Sequence, residues 1–321
     1  MSGPVGQERT ITEQNTETIE KVHSLHVFCY AFCGSNFQGS GIQRYVYTVN
    51  INVSYQYIKI DQKSQSIAMD IYSITCIALE IKGVKTRVVK EKDDVVEILL
   101  QSLKRQKIVL KEKDIVVVAS KIVALSQGRL VKINGNLKKI IESQSESLLK
   151  TGFGYFTITD GNITANAGID RSNVPRGTAI LWPKDPYGEA AKIQARLRAH
   201  FGLKNLGVII EDSACEPLRV GVHGMSIGHF GFKGIDDCRG KKDIYGKKFK
   251  VTRRAMADSL ATAALILMGE TDERVPFAVI TGAPVSFINK HERKAVLRLK
   301  SDLFYGMYSD EFIKFASKCT K

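Results

Sequence analysis

The chain has 321 residues, 44% of them hydrophobic and 25% charged, and a formal net charge of +14. That length supports one large domain or two ordinary ones, and the balance is that of a soluble globular protein. No run of about 18 apolar residues is present, which excludes a membrane-spanning helix. Residues 1–15 are polar and lack the apolar core of a secretory signal, so a cytoplasmic protein is expected. Six scattered cysteines (29, 33, 76, 215, 238 and 319) read as reduced thiols rather than a disulfide scaffold. The charge suits nucleic acid, an anionic membrane or anionic small substrates. The basic residues are spread along the chain without an RNP-type aromatic motif or zinc-finger spacing. That argues against nucleic acid as the main partner, while phosphorylated small molecules fit the charge equally well.

Residues 1–68 are rich in Gln, Ser, Asn and Tyr and hold no clear helical period. Residues 46–60 alternate loosely, a weak strand or hairpin signal. His23, His26, Cys29 and Cys33 lie close together, but their spacing matches no standard structural zinc pattern. The segment reads as an extension, disordered or not translated, with Met69 as an alternative start of a domain over 69–321.

Beyond it the pattern sharpens. Residues 71–81 read as a strand. Residues 93–103 carry Val95, Val96, Leu99, Leu100 and Leu103 at helical spacing. Residues 114–119 form a short buried strand, and 134–150 a polar surface segment. Residues 155–159 and 162–165 make a hairpin across Asp160-Gly161. A basic amphipathic helix over 189–201 precedes a buried strand over 207–211. Residues 252–268 are the clearest helix, with Thr252 as its cap and Gly269 as its stop. Residues 276–280 form a last core strand. Helices and strands mix without a strict βαβ repeat, so the fold class is α+β.

Phosphate-binding loops of the common kinds are missing. Residues 240–248 (Gly-Lys-Lys-Asp-Ile-Tyr-Gly-Lys-Lys) have one residue too many between their glycines for a Walker A loop, and no Ser or Thr after the lysine. Acidic residues carry more. Asp170 follows the hairpin, and Asp212, with Ser213 beside it, follows the apolar run 207–210. Two such carboxylates can share Mg²⁺ or Mn²⁺, which take oxygen ligands, or each can simply cap its turn. Glu270 lies beyond the 252–268 helix, at the dipole end that favours a cation, or is a solvated loop acid. Asp258 in that helix needs a partner, which Arg239, Arg253 or Arg254 can supply. His223, His229 and Cys215 show no catalytic pattern.

These residues fall within motifs that occur here in order. They are Ala119-Ser120-Lys121-Ile122-Val123-Ala124-Leu125-Ser126-Gln127-Gly128-Arg129; Asn166-Ala167-Gly168-Ile169-Asp170-Arg171-Ser172-Asn173-Val174; Asp212-Ser213 through Pro217-Leu218-Arg219-Val220-Gly221; Asp237-Cys238-Arg239-Gly240 through Tyr245-Gly246; and Ala257-Asp258 through Met268-Gly269-Glu270. From Gly83 to Val285 the chain thereby resembles the coenzyme F420-0:L-glutamate ligase family. The resemblance implies an α+β fold forming an intertwined homodimer. It implies divalent-metal ligation by Asp170 and Asp212, with Ser213 beside them at a second metal position, and another nucleotide and metal segment in the loop from Leu265 to Asp272, with Glu270. It also implies nucleotide contacts at Ser120, Lys121, Asn173, Met268, Gly269 and Glu270. Arg219 and Arg239 are candidates for holding a substrate carboxylate or phosphate.

The implied reaction joins L-glutamate to a carboxylate acceptor. The acceptor takes the γ-phosphoryl group of GTP or ATP, and the glutamate amine displaces phosphate from the acyl phosphate. Some positions depart from the family pattern. Leu125 stands where a lysine is usual, and Ala214-Cys215-Glu216 where x-Gly-Arg is usual. Gly83-Val84-Lys85-Thr86 replaces an early Gly-x-Pro. Val84-Lys85-Thr86, Ser120-Lys121, Leu181-Trp182-Pro183 and Pro217-Leu218-Arg219 resemble a bacterial branch associated with folate. Folate and F420-0 are therefore both expected acceptors, and a nucleotide-binding paralogue without ligase activity is the alternative.

Overall fold

The computed structural model describes the backbone of three strands, β1 (Val22–Ala31), β2 (Val49–Ile60) and β3 (Ile67–Asp70), and then residues 79–152, 154–290, 292, 299–308 and 310. The described residues fall into two compact units. In the first, β1, β2 and β3 form one sheet in that order, with β2 and β3 antiparallel. The strand expected over 46–60 is thus present as β2. Of the His/Cys group, Cys33 lies outside the described residues, as does most of the strand expected over 71–81.

The second unit contains, in chain order, β4 (Glu80–Val84), α1 (Val95–Gln106), β5 (Ile115–Ala119), α2 (Ser120–Ser126) and β6 (Leu130–Lys132). There follow α3 (Leu137–Gln144), β7 (Ser147–Thr151), β8 (Gly154–Thr159), β9 (Asn162–Ala165) and β10 (Thr178–Ile180). The chain continues with α4 (Pro186–Phe201), β11 (Gly207–Ala214), β12 (His223–Phe230), β13 (Ile235–Asp237), β14 (Arg253–Ala255), α5 (Met256–Met268) and β15 (Phe277–Thr281). The mixture is α+β, as expected. No described helix is long and apolar enough to cross a membrane.

Five of these strands make the central sheet, in the order β12-β11-β5-β15-β4. Only β5 and β11 run parallel, with Ala119 opposite Glu211. The unbroken apolar run of β5 follows from burial on both faces. On one face α1 and α4 pack Leu99, Leu103, Ala190, Ile193 and Leu197 against Val116, Val118, Val208 and Ile210. On the other, α5 packs Ala257, Leu260, Ala261 and Ala264 against Ile115, Val117 and Ile209. The period of two along β11 sends odd and even positions to opposite cores.

The Gly-rich stretch around His223 is the edge strand β12, which the sequence did not signal. Its glycines admit helix backbones. A Cβ on Gly224 would meet the Ala261 carbonyl at 2.6 Å, and one on Gly228 the Pro186 backbone at 2.5 Å. These helices lie on opposite faces because a bulge between Ile210 and Glu211 shifts the register with β12. Beside the bulge, the Ser226 N–H donates to Asp258 Oδ1 at 3.0 Å. Asp258 therefore serves the strand and not an arginine. Arg254 pairs with Asp236, and Arg253 approaches Asp237 at 3.8 Å.

Those pairs also correct the helix start. Residues 253–255 are drawn into β14, antiparallel to β13, so α5 begins at Met256 and Thr252 does not cap it. Gly269 ends it, as expected. The 155–165 hairpin forms, with Asp160 and Gly161 both at positive φ (51° and 78°), the pair a type I′ turn requires. The 134–150 segment, read as a polar surface segment, has regular structure. It holds α3, capped by the Asn136 side chain and anchored by Ile141, and then β7.

Asp94 starts α1, accepting the N–H groups of Val96 and Glu97 at 2.9 and 3.0 Å, and pairs with Arg196 of α4 at 2.8 Å. Burial pushes its carboxyl up, but Arg196 and the two N–H groups outweigh this and hold it below its ordinary value. Asp94→Ala should cost about 1 kcal/mol, mostly from the lost cap. A carboxyl held low in the folded state stabilises above its unfolded pKa and loses that contribution as pH falls. The difference in Tm between wild type and Asp94→Ala should therefore shrink below about pH 4, a change that thermal melts across pH would detect.

Candidate active site

The parallel pair β5–β11 builds the site. Where β5 ends, α2 begins at Ser120; where β11 passes Glu211, Asp212 follows. Side by side, these ends place the Ser120 hydroxyl 2.9 Å from Asp212 Oδ1, to which it donates. The other oxygen, Oδ2, accepts the indole N–H of Trp182. Ser120 is thus committed to Asp212, and no side chain caps α2. Trp182 reaches this point over Gly168. A Cβ there would stand 2.0 Å from the indole nitrogen, and the φ of +66° also favours glycine.

Protein encloses the Asp212 carboxyl although part of the residue's surface reaches solvent. Burial raises its pKa to about 6 against the hydrogen bonds from Ser120, Trp182 and the Ser213 N–H, which favour the charged form, and the charge of Asp170 adds to the rise. Asp170 is held by a two-bond bridge to Ile180, with N–O distances of 3.0 and 2.8 Å. Its carboxylate meets Lys121 Nζ at 2.5 Å and accepts from the Ser172 N–H at 2.6 Å. Burial pushes this carboxyl up too, but Lys121 and Ser172 hold it below the usual range. Lys121 also donates to the Ser172 hydroxyl at 2.9 Å.

The opposite face of β11 carries a second group. Ser213 donates to Glu270 Oε1 at 2.6 Å, just beyond α5. Glu211, on the same face as Ser213, is 3% exposed, and its Oε1 has no hydrogen-bond partner. Burial, then the charges of Asp212 and Glu270, push its carboxyl up to about 8. Asn173, with a left-handed φ of 54°, donates from Nδ2 to the Thr271 carbonyl at 2.7 Å, joining the Asp170 loop to the loop after α5.

Ser120, Lys121, Asp170 and Asp212 are therefore brought together, and Ser213 meets Glu270. Gly269 and Met268 lie at the end of α5, so the segment expected as a loop from Leu265 is helical through Met268. Arg219 and Arg239 are not drawn into this cluster. Arg219 is exposed in the turn after β11, its N–H donating to the Glu216 carbonyl, and Arg239 is paired with Asp237. Sequence reasoning missed Trp182 and Glu211 as site residues. A glutamate closing an apolar strand run was the available signal for Glu211; nothing local marked Trp182.

The donors are all oxygen, the set a hard divalent cation takes, and a buried carboxylate oxygen without a partner suits such an ion. Among the described residues no three His, Cys, Asp or Glu side chains converge closely enough to hold an ion as they stand. Asp170 is drawn instead to Lys121 and Glu270 to Ser213.

The α+β fold thus gathers acidic side chains from β11, from the turn before β10 and from the end of α5 beside the place where the β5–β11 pairing ends. The family model of the F420-0:gamma-glutamyl ligases matches residues 83–139 and 135–282, and the chain belongs to that family. It is 32% identical over 242 residues to the coenzyme F420:L-glutamate ligase of Methanopyrus kandleri, an alignment covering 68% of this chain and 94% of the relative. It is 34% identical over 212 residues to the protein of that name from Methanothermobacter thermautotrophicus, covering 60% and 84%. With that of Methanocaldococcus jannaschii it shares 34% over 216 residues, covering 61% and 86%.

Trp182 is the sole tryptophan, so indole emission reports directly on Asp212. Emission should change with a midpoint near pH 6, and Asp212→Asn should abolish that transition. Because the folded-state pKa is raised, the cation-free protein should also lose stability as pH rises from about 4 to 6. A flat emission profile in the wild type would refute the assignment.

Proposed function

We propose that this ligase joins L-glutamate to a carboxylate acceptor through an acyl phosphate, using GTP or ATP and Mg²⁺ or Mn²⁺. The observation that carries the reading is the Asp170–Lys121 and Asp212–Ser120 pairing at the ends of β5 and β11. It sets an ammonium beside two carboxylates on rigid elements, where phosphate and cation would be held together. The names of the relatives support glutamate as the amine, and the name of the family supports F420-0 as acceptor.

In this scheme the acceptor carboxylate attacks the γ-phosphorus and the nucleoside diphosphate leaves. The glutamate amine then attacks the acyl carbon and phosphate departs. A divalent cation would supply charge stabilisation for the transferring phosphoryl group. Asp170 and Asp212 would hold one such cation on one side of β11, and Ser213 and Glu270 a second on the other. Lys121, released from Asp170, would move to a phosphate oxygen. Asn173 would fix the two loops around the nucleotide, beside Gly269 and Met268. Arg219 and Arg239 would need to turn toward the cleft to bind an anionic substrate.

The departures at Leu125 and Glu216 favour testing folate as a second acceptor. Glu216 is exposed and faces His223 at 3.6 Å, an anion where the family motif places a cation. A homodimer fits the exposure of Leu218, Val220, Ile244, Tyr245 and Val251 on the loops after β11 and between β13 and β14.

Purified protein incubated with labelled glutamate, each nucleotide, Mg²⁺ or Mn²⁺, and F420-0 or folate should transfer label to one acceptor. Asp170→Asn and Asp212→Asn should each lower turnover by about two orders of magnitude or more, with the fold intact by circular dichroism. Nucleotide binding without transfer to either acceptor would identify a non-ligase paralogue. Full activity in either variant would refute the metal assignment.

A further inference from the structure

Glu211 is a buried acidic residue beside the site that the scheme above does not use. Its position in an apolar core needs an explanation. A carboxylate withdrawn from water is costly unless paired. Here the side chain is 3% exposed and its Oε1 has no hydrogen-bond partner. The surroundings make matters worse, since the nearest charges acting on it, those of Asp212 and Glu270, are both negative. A purely structural role would be served better by glutamine or an aliphatic residue.

Strand geometry says where this oxygen belongs. Along β11, Ile209 packs into the α5-side core, whereas Val208 and Ile210 pack into the α1/α4-side core. Alternation then puts Glu211 and Ser213 on the α5 face and Asp212 on the other. The bulge does not disturb this order. Its extra residue, Ile227, lies in β12, while β11 keeps consecutive partners Ile210↔Gly228 and Glu211↔Ser226. Ser213 already touches Glu270 at 2.6 Å. Three oxygen-bearing side chains from one strand face and the end of α5 thus border the same space.

We propose that Glu211 is a carboxylate ligand, with Ser213 and Glu270, of a divalent-cation position on the α5 face of β11, separate from the Asp170–Asp212 position on the opposite face. The inference rests on the metal-dependent reading above and adds to it a buried ligand. A cation at that point would supply Oε1 with its partner and neutralise the repulsion of Glu211 by Asp212 and Glu270. Ser213, donating to Glu270 now, would turn its hydroxyl oxygen to the ion.

The test is Mn²⁺ binding to the full-length chain without nucleotide, read as free Mn²⁺ by electron paramagnetic resonance. Wild type should show two classes of occupancy. Glu211→Gln should weaken one of them at least about tenfold, and Asp170→Asn the other. Glu211→Asp keeps the charge but withdraws it by one methylene. It should weaken the same occupancy as Glu211→Gln and guards against a folding failure of the first variant, with Trp182 emission as the check on folding. Wild-type affinity and stoichiometry in a folded Glu211 variant would overturn the inference and leave the metal reading standing. No Mn²⁺ bound by wild type, together with turnover independent of divalent cation, would overturn both.

Discussion

The hydrogen bonds that hold Asp212 are the constraint around which the site is organised. Ser120 and Asp212 are 92 positions apart, and only the parallel pairing of β5 with β11 brings their ends level. Trp182 then closes over the same carboxylate, which it reaches because Gly168 leaves room for the indole. The turn that contains Gly168 leads directly into Asp170. Strand pairing, a missing side chain and a buried charge are therefore parts of one arrangement. Disturbing any of them moves the Asp212 carboxylate.

A sheet buried on both faces has a second consequence. Successive residues at the end of β11 cannot share a side, so Glu211 and Ser213 face α5 while Asp212 faces Ser120 and Trp182. Acidic residues that are consecutive in the chain become two groups, each completed from elsewhere: Asp170 and Lys121 for one, Glu270 for the other. The bulge between β11 and β12 lies at this place, where strand pairing must yield to the site. Its irregularity is accommodated by Asp258, whose carboxylate takes the Ser226 N–H. The acidic residue inside an Ala-rich helix thus has a structural cause two elements away.

Local patterns carried much of the fold. The apolar run of β5, the Asp160-Gly161 turn and the helical spacing of α1 needed no partner to be read, because each reflects a conformational preference or burial period of its own segment. The failures share one physical cause, which is pairing at a distance. Residues 252–255 look like the start of a helix, yet the aspartates of β13 pair with Arg253 and Arg254 and hold them as a strand. Residues 223–230 carry no local strand signal, yet their glycines are where two helix backbones press on an edge strand. Trp182 gave no local sign because its role is defined by what lies beneath and beside it.

The order of motifs along the chain was enough to establish family and ligase class and to single out the acidic residues as candidates, because those depend on residue types at set spacings. Which of those residues meet was decided only by the tertiary structure. It joined Ser120 to Asp212, Lys121 to Asp170, and Ser213 to Glu270, and it left Arg219 and Arg239 outside. It also buried Glu211 without a partner, beside charges of its own sign. Spacing cannot report that, because the cost of a buried charge depends on the atoms packed around it, and those come from distant parts of the chain.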